Sequence, residues 1–317
     1  MRRIDALRAG GWMLSGVLLA FGVNAQTTPP DGKDKPAATT AKEAGGKSEK
    51  GGKPPLQIPP DAAREQAIVD AVTARVPAAE VLQLEVEKAQ VLALYREQTG
   101  REPRGAVLLL HAMDDTADEP GLIHALRTEL PAAGWSTLSL QLPVLPAGSP
   151  REAYGGTQEL ARKRITAALA KLSESRPEAI AIIGQELGAA LALATAAGAR
   201  DIKGVVVLSL SSAEGLNPPA VTVPAMDKLE LPVLDITGEF AGPAQRSLAD
   251  QRASAARAAQ HTGYSQTTVP GVDDMLGGAT AIVAARVRAW LSRHATAAGP
   301  AAAPKPPDAA APAPPPP

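Results

Sequence analysis

Cysteine is absent from all 317 residues, which excludes disulfides, zinc–thiolate sites, iron–sulfur clusters and thiol catalysis. Aromatics are scarce, with two Phe, three Trp and three Tyr, too few for a large stacking or sugar-binding surface. Neither sign of charge dominates. Lys and Arg number 32 against 33 Asp and Glu, a formal charge of −1, so nothing in the charge balance points to nucleic acid. No apolar run approaches the roughly 20 residues that a membrane-spanning helix needs. What the sequence has in quantity is Gly and Pro, 28 and 30 residues, gathered largely at its two ends.

The first 25 residues read as an export signal. Arg2, Arg3 and Arg8 make a basic start, Gly11–Gly22 an apolar stretch of 12 residues, and Val23-Asn24-Ala25 a small-x-small cleavage pattern that leaves Gln26 as the mature N-terminus. The stretch is too short for a membrane anchor, and without cysteine there is no lipid attachment site. Cleavage leaves 29 basic and 32 acidic residues, a formal charge of −3. The expected location is the periplasm of a Gram-negative-type bacterium, or the outside of the cell. Without disulfides, such a chain depends on its core alone.

Residues 26–60 are low in complexity, built of Thr, Pro, Gly, Lys and Ala. They hold too little apolar surface to offset chain entropy and are expected to be a disordered spacer. Residues 296–317 are almost all Ala and Pro, a composition that favours extended polyproline II. This tail is either a docking or wall-spanning segment or a tolerated appendage. Between them, residues 61–295 are long enough for one sizeable core.

Within that block, Val81–Glu85 and Gln90–Tyr95 read as a hairpin. Gly105–His111 is a continuous apolar run of the kind expected for a strand buried on both faces, Ala179–Ile183 reads as another buried strand, and Trp135–Leu142, Val205–Leu210, Pro232–Thr237 and Tyr264–Val269 add further strands. Helices are expected at Gly121–Ala133, Thr157–Ser173, Gly188–Ala197, Pro243–His261 and Thr280–His294. An antiparallel start followed by alternating strands and helices predicts an α/β fold with a mainly parallel sheet and helices on both faces.

Several segments, in this order, resemble an α/β-hydrolase, and more narrowly the bacterial domain of unknown function 3530. They are Arg104–His111, Gly134–Pro143 (GWSTLSLQLP, the most specific), Ile183–Ala189, Leu231–Asp235, Tyr264–Gln266 and Val287–Leu291. The resemblance implies three catalytic stations. The nucleophile belongs on a Gly-x-Ser-x-Gly turn between strand and helix; the matching turn is Gly184-Gln185-Glu186-Leu187-Gly188, with Glu186 in place of serine. The acid belongs in a Gly-x-x-Asp stretch after a later strand; here Gly238-Glu239-Phe240-Ala241 places Ala241 there, with Glu239 two residues away. The histidine belongs in the loop after the last strand; Pro270–Met275 has none, and Asp274 stands about where it would be. Of the four histidines, His111 ends the strand before the oxyanion loop, His124 lies in a helix, His261 is at the wrong end of the sheet, and His294 closes the last helix, where a cation suits the dipole. None stands where the general base is needed, so a Ser-His-Asp relay is not expected.

Three readings stay open. The first is a catalytically degenerate scaffold that keeps the turn and binds an envelope partner or a small ligand. The second is an unconventional hydrolase in which Glu186 attacks an ester, epoxide or haloalkane carbon and Asp274 or His111 assists. The third is a cation site made of Asp114, Asp115, Glu186 and Asp274, for which the plain alternative is a solvated acidic loop. No cofactor is implied. Trp135, Leu138, Leu140 and Trp290 read as core residues. Asp235, a carboxylate inside a strand, needs a structural hydrogen-bond partner. Ser209, Ser211 and Ser212 follow a strand but lack the flanking glycines and a histidine.

Overall fold

A computed structural model of the chain describes residues 57–210 and 229–295. The expected export segment, the spacer up to residue 56, the tail from 296, and Ser211 and Ser212 lie outside the described residues. The strands are β1 (Val81–Val86), β2 (Ala89–Arg96), β3 (Gly105–Leu110), β4 (Trp135–Leu140), β5 (Ile180–Gln185), β6 (Ile202–Leu208), β7 (Val233–Gly238) and β8 (Tyr264–Val269). The helices are α1 (Ala62–Thr73), α2 (Leu122–Glu129), α3 (Gln158–Glu174), α4 (Leu187–Ala196), α5 (Pro243–Ala258) and α6 (Thr280–His294).

The eight strands form one sheet in the order β1-β2-β4-β3-β5-β6-β7-β8. β1, β2 and β4 are joined by antiparallel pairings, and every pairing from β4 through β3 to β8 is parallel. Strands β3 to β7 are buried on both faces along almost their whole length, and β3 reads as a continuous apolar run for that reason. Side chains alternate across the sheet, so Leu108 and Leu110 of β3 join a core with Ile165 and Leu172 of α3 and the small residues of α4. Val107 and Leu109 point the other way, into a core with Ile123 and Leu126 of α2 and Val283, Val287 and Trp290 of α6. Trp135, Leu138, Leu140 and Trp290 are core residues, as their sequence suggests.

The boundaries move for local reasons. The helix expected over Gly121–Ala133 ends as α-helix at Glu129 and continues as a 3₁₀ turn, Leu130–Ala133, because Pro131 has no N–H to extend the α ladder. Helix α5 stops at Ala258, before His261. Gln260 takes φ 53° and the His261 N–H turns back to the Ala256 carbonyl at 2.9 Å, a left-handed C-terminal cap. Helix α1 was not expected from the sequence. Asp61 caps it by accepting from the Arg64 N–H at 3.0 Å, and its Val72 packs with Leu92 and Leu94 of β2.

Candidate functional site at the strand-to-helix turn

Glu186 is the single residue between β5 and α4, with φ 54° and ψ −106°, a conformation that costs a non-glycine residue of order 1–3 kcal/mol. The glycines on either side allow it. A Cβ at Gly184 would strike the Gly188 carbonyl, and one at Gly188 would strike the carbonyls of Leu110 and His111. Ladder contact across the sheet edge holds the turn, with the Glu186 N–H donating to the Leu208 carbonyl at 2.9 Å.

The Glu186 side chain is buried. Its Oε2 accepts from the N–H of Leu187 at 2.6 Å and from the N–H of Met113 at 3.0 Å. Its Oε1 pairs with the guanidinium of Arg151, whose side chain is one-third exposed. In α/β-hydrolases the N–H after the nucleophile and an N–H from the loop after β3 form the oxyanion hole. Leu187 and Met113 supply the same two groups here, at the N-terminus of α4, where the helix dipole also favours negative charge. The anion they hold is the side chain of the turn residue itself.

Arg151 opens a 3₁₀ segment, Arg151–Thr157, that covers this end of the sheet. Tyr154 from the same segment donates its hydroxyl to Asp114 Oδ1, and Arg64 from α1 reaches the same oxygen at 2.7 Å. Burial first, then the bond to Asp114, push the Tyr154 hydroxyl up to about 12. Asp115 behaves differently. Burial raises its carboxyl to about 6, against the Thr116 N–H that donates to it and with the help of nearby Glu119.

His111 is buried with both ring nitrogens engaged. Leu142 N–H donates to Nε2 at 2.9 Å, the Gln141 amide lies 3.1 Å from the same atom, and Nδ1 is 2.7 Å from the Ala112 carbonyl. This network assigns the proton to Nδ1. Burial lowers its pKa to about 4, so the ring is neutral and fixes the β3 and β4 ends instead of facing Glu186 as a base.

At the acid station Ala241 is fully buried, and Glu239 accepts from the Gly271 N–H at 2.8 Å. In the histidine loop Asp273 Oδ1 caps the N–H groups of Met275 and Gly277, both at 3.1 Å. Asp274 is exposed and forms no hydrogen bond or ion pair among the described residues. The Gln185 amide joins this loop to the turn through the Met275 carbonyl at 3.3 Å.

Of the four carboxylates considered for a cation site, Asp114, Asp115, Glu186 and Asp274, two are paired with arginines. Among the described residues no three His, Asp or Glu side chains are grouped to hold a metal. Glu186 and Asp114 each have their own arginine, so the mutual repulsion that a cation would relieve is already relieved. Ser209 follows β6 at φ 55°, buried, with its Oγ unpartnered among the described residues. Asp235 does have structural partners, Arg252 and Tyr264. His124 bonds Asp118 at 2.8 Å and His294 stacks on Trp290, their ring centroids 5.4 Å apart. Arg151, Arg64 and Tyr154 were not found by sequence reasoning, since no motif marks a cation that lies far along the chain from its carboxylate. The Met113 N–H was within reach of it, two residues past the end of the conspicuous Gly105–His111 run.

The family described as protein of unknown function (DUF3530) matches residues 13–159 and 146–293. No curated protein matches the chain. Among solved structures, a Pyrococcus furiosus esterase superposes with a TM-score of 0.54 at 12% identity, covering 67% of this chain and 90% of its own. Dienelactone hydrolase from Anabaena variabilis gives 0.55 at 18% identity, over 68% and 97%. Est1E from Butyrivibrio proteoclasticus gives 0.51 at 17%, over 67% and 98%. At these identities the likeness is one of fold, that of the α/β-hydrolases.

Proposed function

The chain belongs to the DUF3530 family and has the α/β-hydrolase fold, and from that premise we propose that it is an exported binding module of the cell envelope that has given up serine catalysis. The observation that carries the proposal is the Glu186 carboxylate held by the N–H groups of Leu187 and Met113. An ester would have to place its carbonyl oxygen where that carboxylate lies, and the negative charge would oppose the oxyanion of the transition state instead of stabilising it. Attack by Glu186 itself is disfavoured as well. One oxygen is bound by two N–H donors and the other by Arg151, which draws electron density away from both. No histidine stands by to clear an ester intermediate, since both ring nitrogens of His111 are already engaged.

The test uses the purified chain from residue 26 onward, assayed against activated esters, epoxides and haloalkanes beside Glu186→Ala, with and without a chelator. The expected result is no turnover above that of Glu186→Ala. Turnover that disappears in Glu186→Ala would overturn the proposal and make Glu186 a nucleophile or base.

A further inference from the structure

Asp114 directly follows Met113, and its backbone is left-handed, with φ 62°, a conformation that a non-glycine residue holds only where its surroundings fix it. Its own carboxylate does the fixing. Oδ1 accepts from Arg64 Nη1 at 2.7 Å and from the Tyr154 hydroxyl. Arg64 Nη1 also donates to the Leu145 carbonyl at 2.6 Å, and the Leu145 N–H donates to the Tyr154 hydroxyl at 3.3 Å. Arg64 thus joins α1, the loop after β3 and the segment after β4 at one carboxylate oxygen. The latter two each deliver a partner to Glu186. Met113, beside Asp114, gives its N–H, and Arg151, which opens the 3₁₀ segment that carries Tyr154, gives its guanidinium.

The end of α1 that makes this joint is fastened mainly by polar contacts. The Asp61 N–H donates to the Val144 carbonyl at 2.9 Å, and Arg164 holds Glu65 in a bidentate pair at 2.7 and 3.0 Å. The apolar contacts are half-buried Ile58 ahead of the helix, and Ile68, Val69 and Val72 farther along it. Charge-assisted bonds of this kind fix one geometry, while so thin an apolar face gives the helix a low local stability. We propose that α1 is a clamp on the Glu186 cradle. Arg64, acting through Asp114, holds the Met113 N–H and the Arg151 segment in place, and when α1 lifts, the cradle loosens with it as one cooperative unit. Helix α1 is the first helix of the described residues and continues from Ile58. A partner that holds the chain there and keeps α1 lifted therefore shifts the turn toward its loosened state without touching it. The clamp goes beyond the binding-module reading and does not depend on it.

The test is native-state amide hydrogen exchange, followed residue by residue by NMR on the chain from residue 26 onward. Arg64→Met keeps the aliphatic stem and removes the charge. It should speed exchange of the Met113, Leu187 and Leu145 amides about tenfold and leave the Ile182 amide, in the middle of β5, unchanged. Arg64→Lys still offers a charged donor to Asp114 and should restore part of the protection; if Arg64→Met does not fold, Arg64→Lys against the unaltered chain carries the same comparison, with an expected acceleration of about threefold. Tyr264→Phe removes a buried bond on β8, away from the clamp, and should leave the Met113 and Leu187 amides as they are. Unchanged protection of Met113 and Leu187 in the Arg64 variants, no difference between Arg64→Lys and Arg64→Met, equal acceleration in Tyr264→Phe, or equal acceleration of Ile182 would each overturn the clamp, the last two by showing that these amides exchange through global unfolding. None of these results touches the turnover assay, so failure of the clamp and failure of the non-catalytic reading are separately visible.

Discussion

The backbone N–H of Met113 donates to the carboxylate of Glu186 at 3.0 Å, across 73 residues of sequence. That bond joins the loop after β3 to the turn after β5, the two elements that an esterase uses to cradle a substrate oxygen. Here the same cradle closes on the protein's own side chain. A buried carboxylate needs such partners, and the turn therefore contributes to stability in a place where a hydrolase spends stability on function.

Arg151 and Glu186 should be energetically coupled. Arg151→Met keeps the aliphatic stem and removes the charge. It is expected to cost about 1–2 kcal/mol in urea unfolding, the modest figure reflecting a guanidinium partly open to water. Glu186→Gln should cost a similar amount, and the double variant clearly less than both together. Strict additivity would mean that the ion pair does not form in solution.

The strained backbone at Glu186 makes a second, opposite expectation. At a helix N-cap glycine is already tolerated better than alanine. At φ 54° and ψ −106° the left-handed backbone should widen that preference, with Glu186→Gly about 1 kcal/mol more stable than Glu186→Ala. Alanine proving the more stable would show that the turn relaxes once the carboxylate is gone.

Two groups, buried His111 and half-buried Asp115, give the stability a pH dependence with opposing signs. His111 has its pKa lowered to about 4 by burial. Between its ordinary value of about 6.5 and pH 4, the unfolded chain takes up a proton that the folded chain refuses, so its contribution, about 3 kcal/mol when complete, is present above pH 6.5 and lost on acidification. Asp115 has its carboxyl raised to about 6. Between pH 6 and 3.8 the folded chain keeps a proton that the unfolded chain releases, so stability rises as the pH falls. Asp118 is held below the usual carboxylate range; burial works to raise it, but His124 and Arg127 outweigh that, and its effect lies at lower pH. Asp115→Asn should therefore steepen the loss of stability from pH 6 to 4, and His111→Gln should abolish or reverse it. Parallel pH profiles for the two variants would contradict both assignments.

The sheet was legible in the sequence because its strands follow rules that operate within a few residues. Gly105–Leu110 and Ile180–Gly184 are apolar throughout because both faces are covered. Gly184 and Gly188 announced the turn because no other residue fits between those backbones. The direction of the Glu186 side chain was not legible, since it depends on Met113 and Arg151, which are distant in sequence and carry no pattern. The pairing of Asp114 and Glu186 was hidden for the same reason: Arg64 and Arg151 reach them from 50 residues before the one and 35 before the other. Helix α1 was missed because its apolar stripe is thin, with Val72 buried and only Ile68 and Val69 half-buried beside it against β2.

Export predicts a defined mature chain. Expressed with its first 25 residues in a Gram-negative host, the protein should be recovered from the periplasm with a mass that starts at Gln26. Ala25→Asp should block processing, and a chain that begins at Gln26 should stay in the cytoplasm. An unprocessed, cytoplasmic full-length chain would remove the envelope from the proposed function and leave the fold and site as they are.

The last prediction concerns Asp235 and Arg252, both fully buried. Arg252 donates from Nε to Oδ2 at 2.7 Å and from Nη2 to Oδ1 at 3.2 Å, and the Tyr264 hydroxyl donates to Oδ2 at 2.7 Å. Burial and the neighbouring carboxylate raise the Tyr264 hydroxyl far above its ordinary value, so it remains a donor at every accessible pH. This network ties β7, α5 and β8 together. Arg252→Met would strand a carboxylate in the interior and should cost about 3–5 kcal/mol. Asp235→Leu should be comparably severe because it strands the guanidinium. The double variant has no stranded charge and should recover much of the loss, while Tyr264→Phe should cost only about 1–2 kcal/mol. Urea unfolding of the four variants distinguishes the cases. If the double variant is as unstable as the worse single one, the pair contributes through packing volume, and the electrostatic account of this part of the core is wrong.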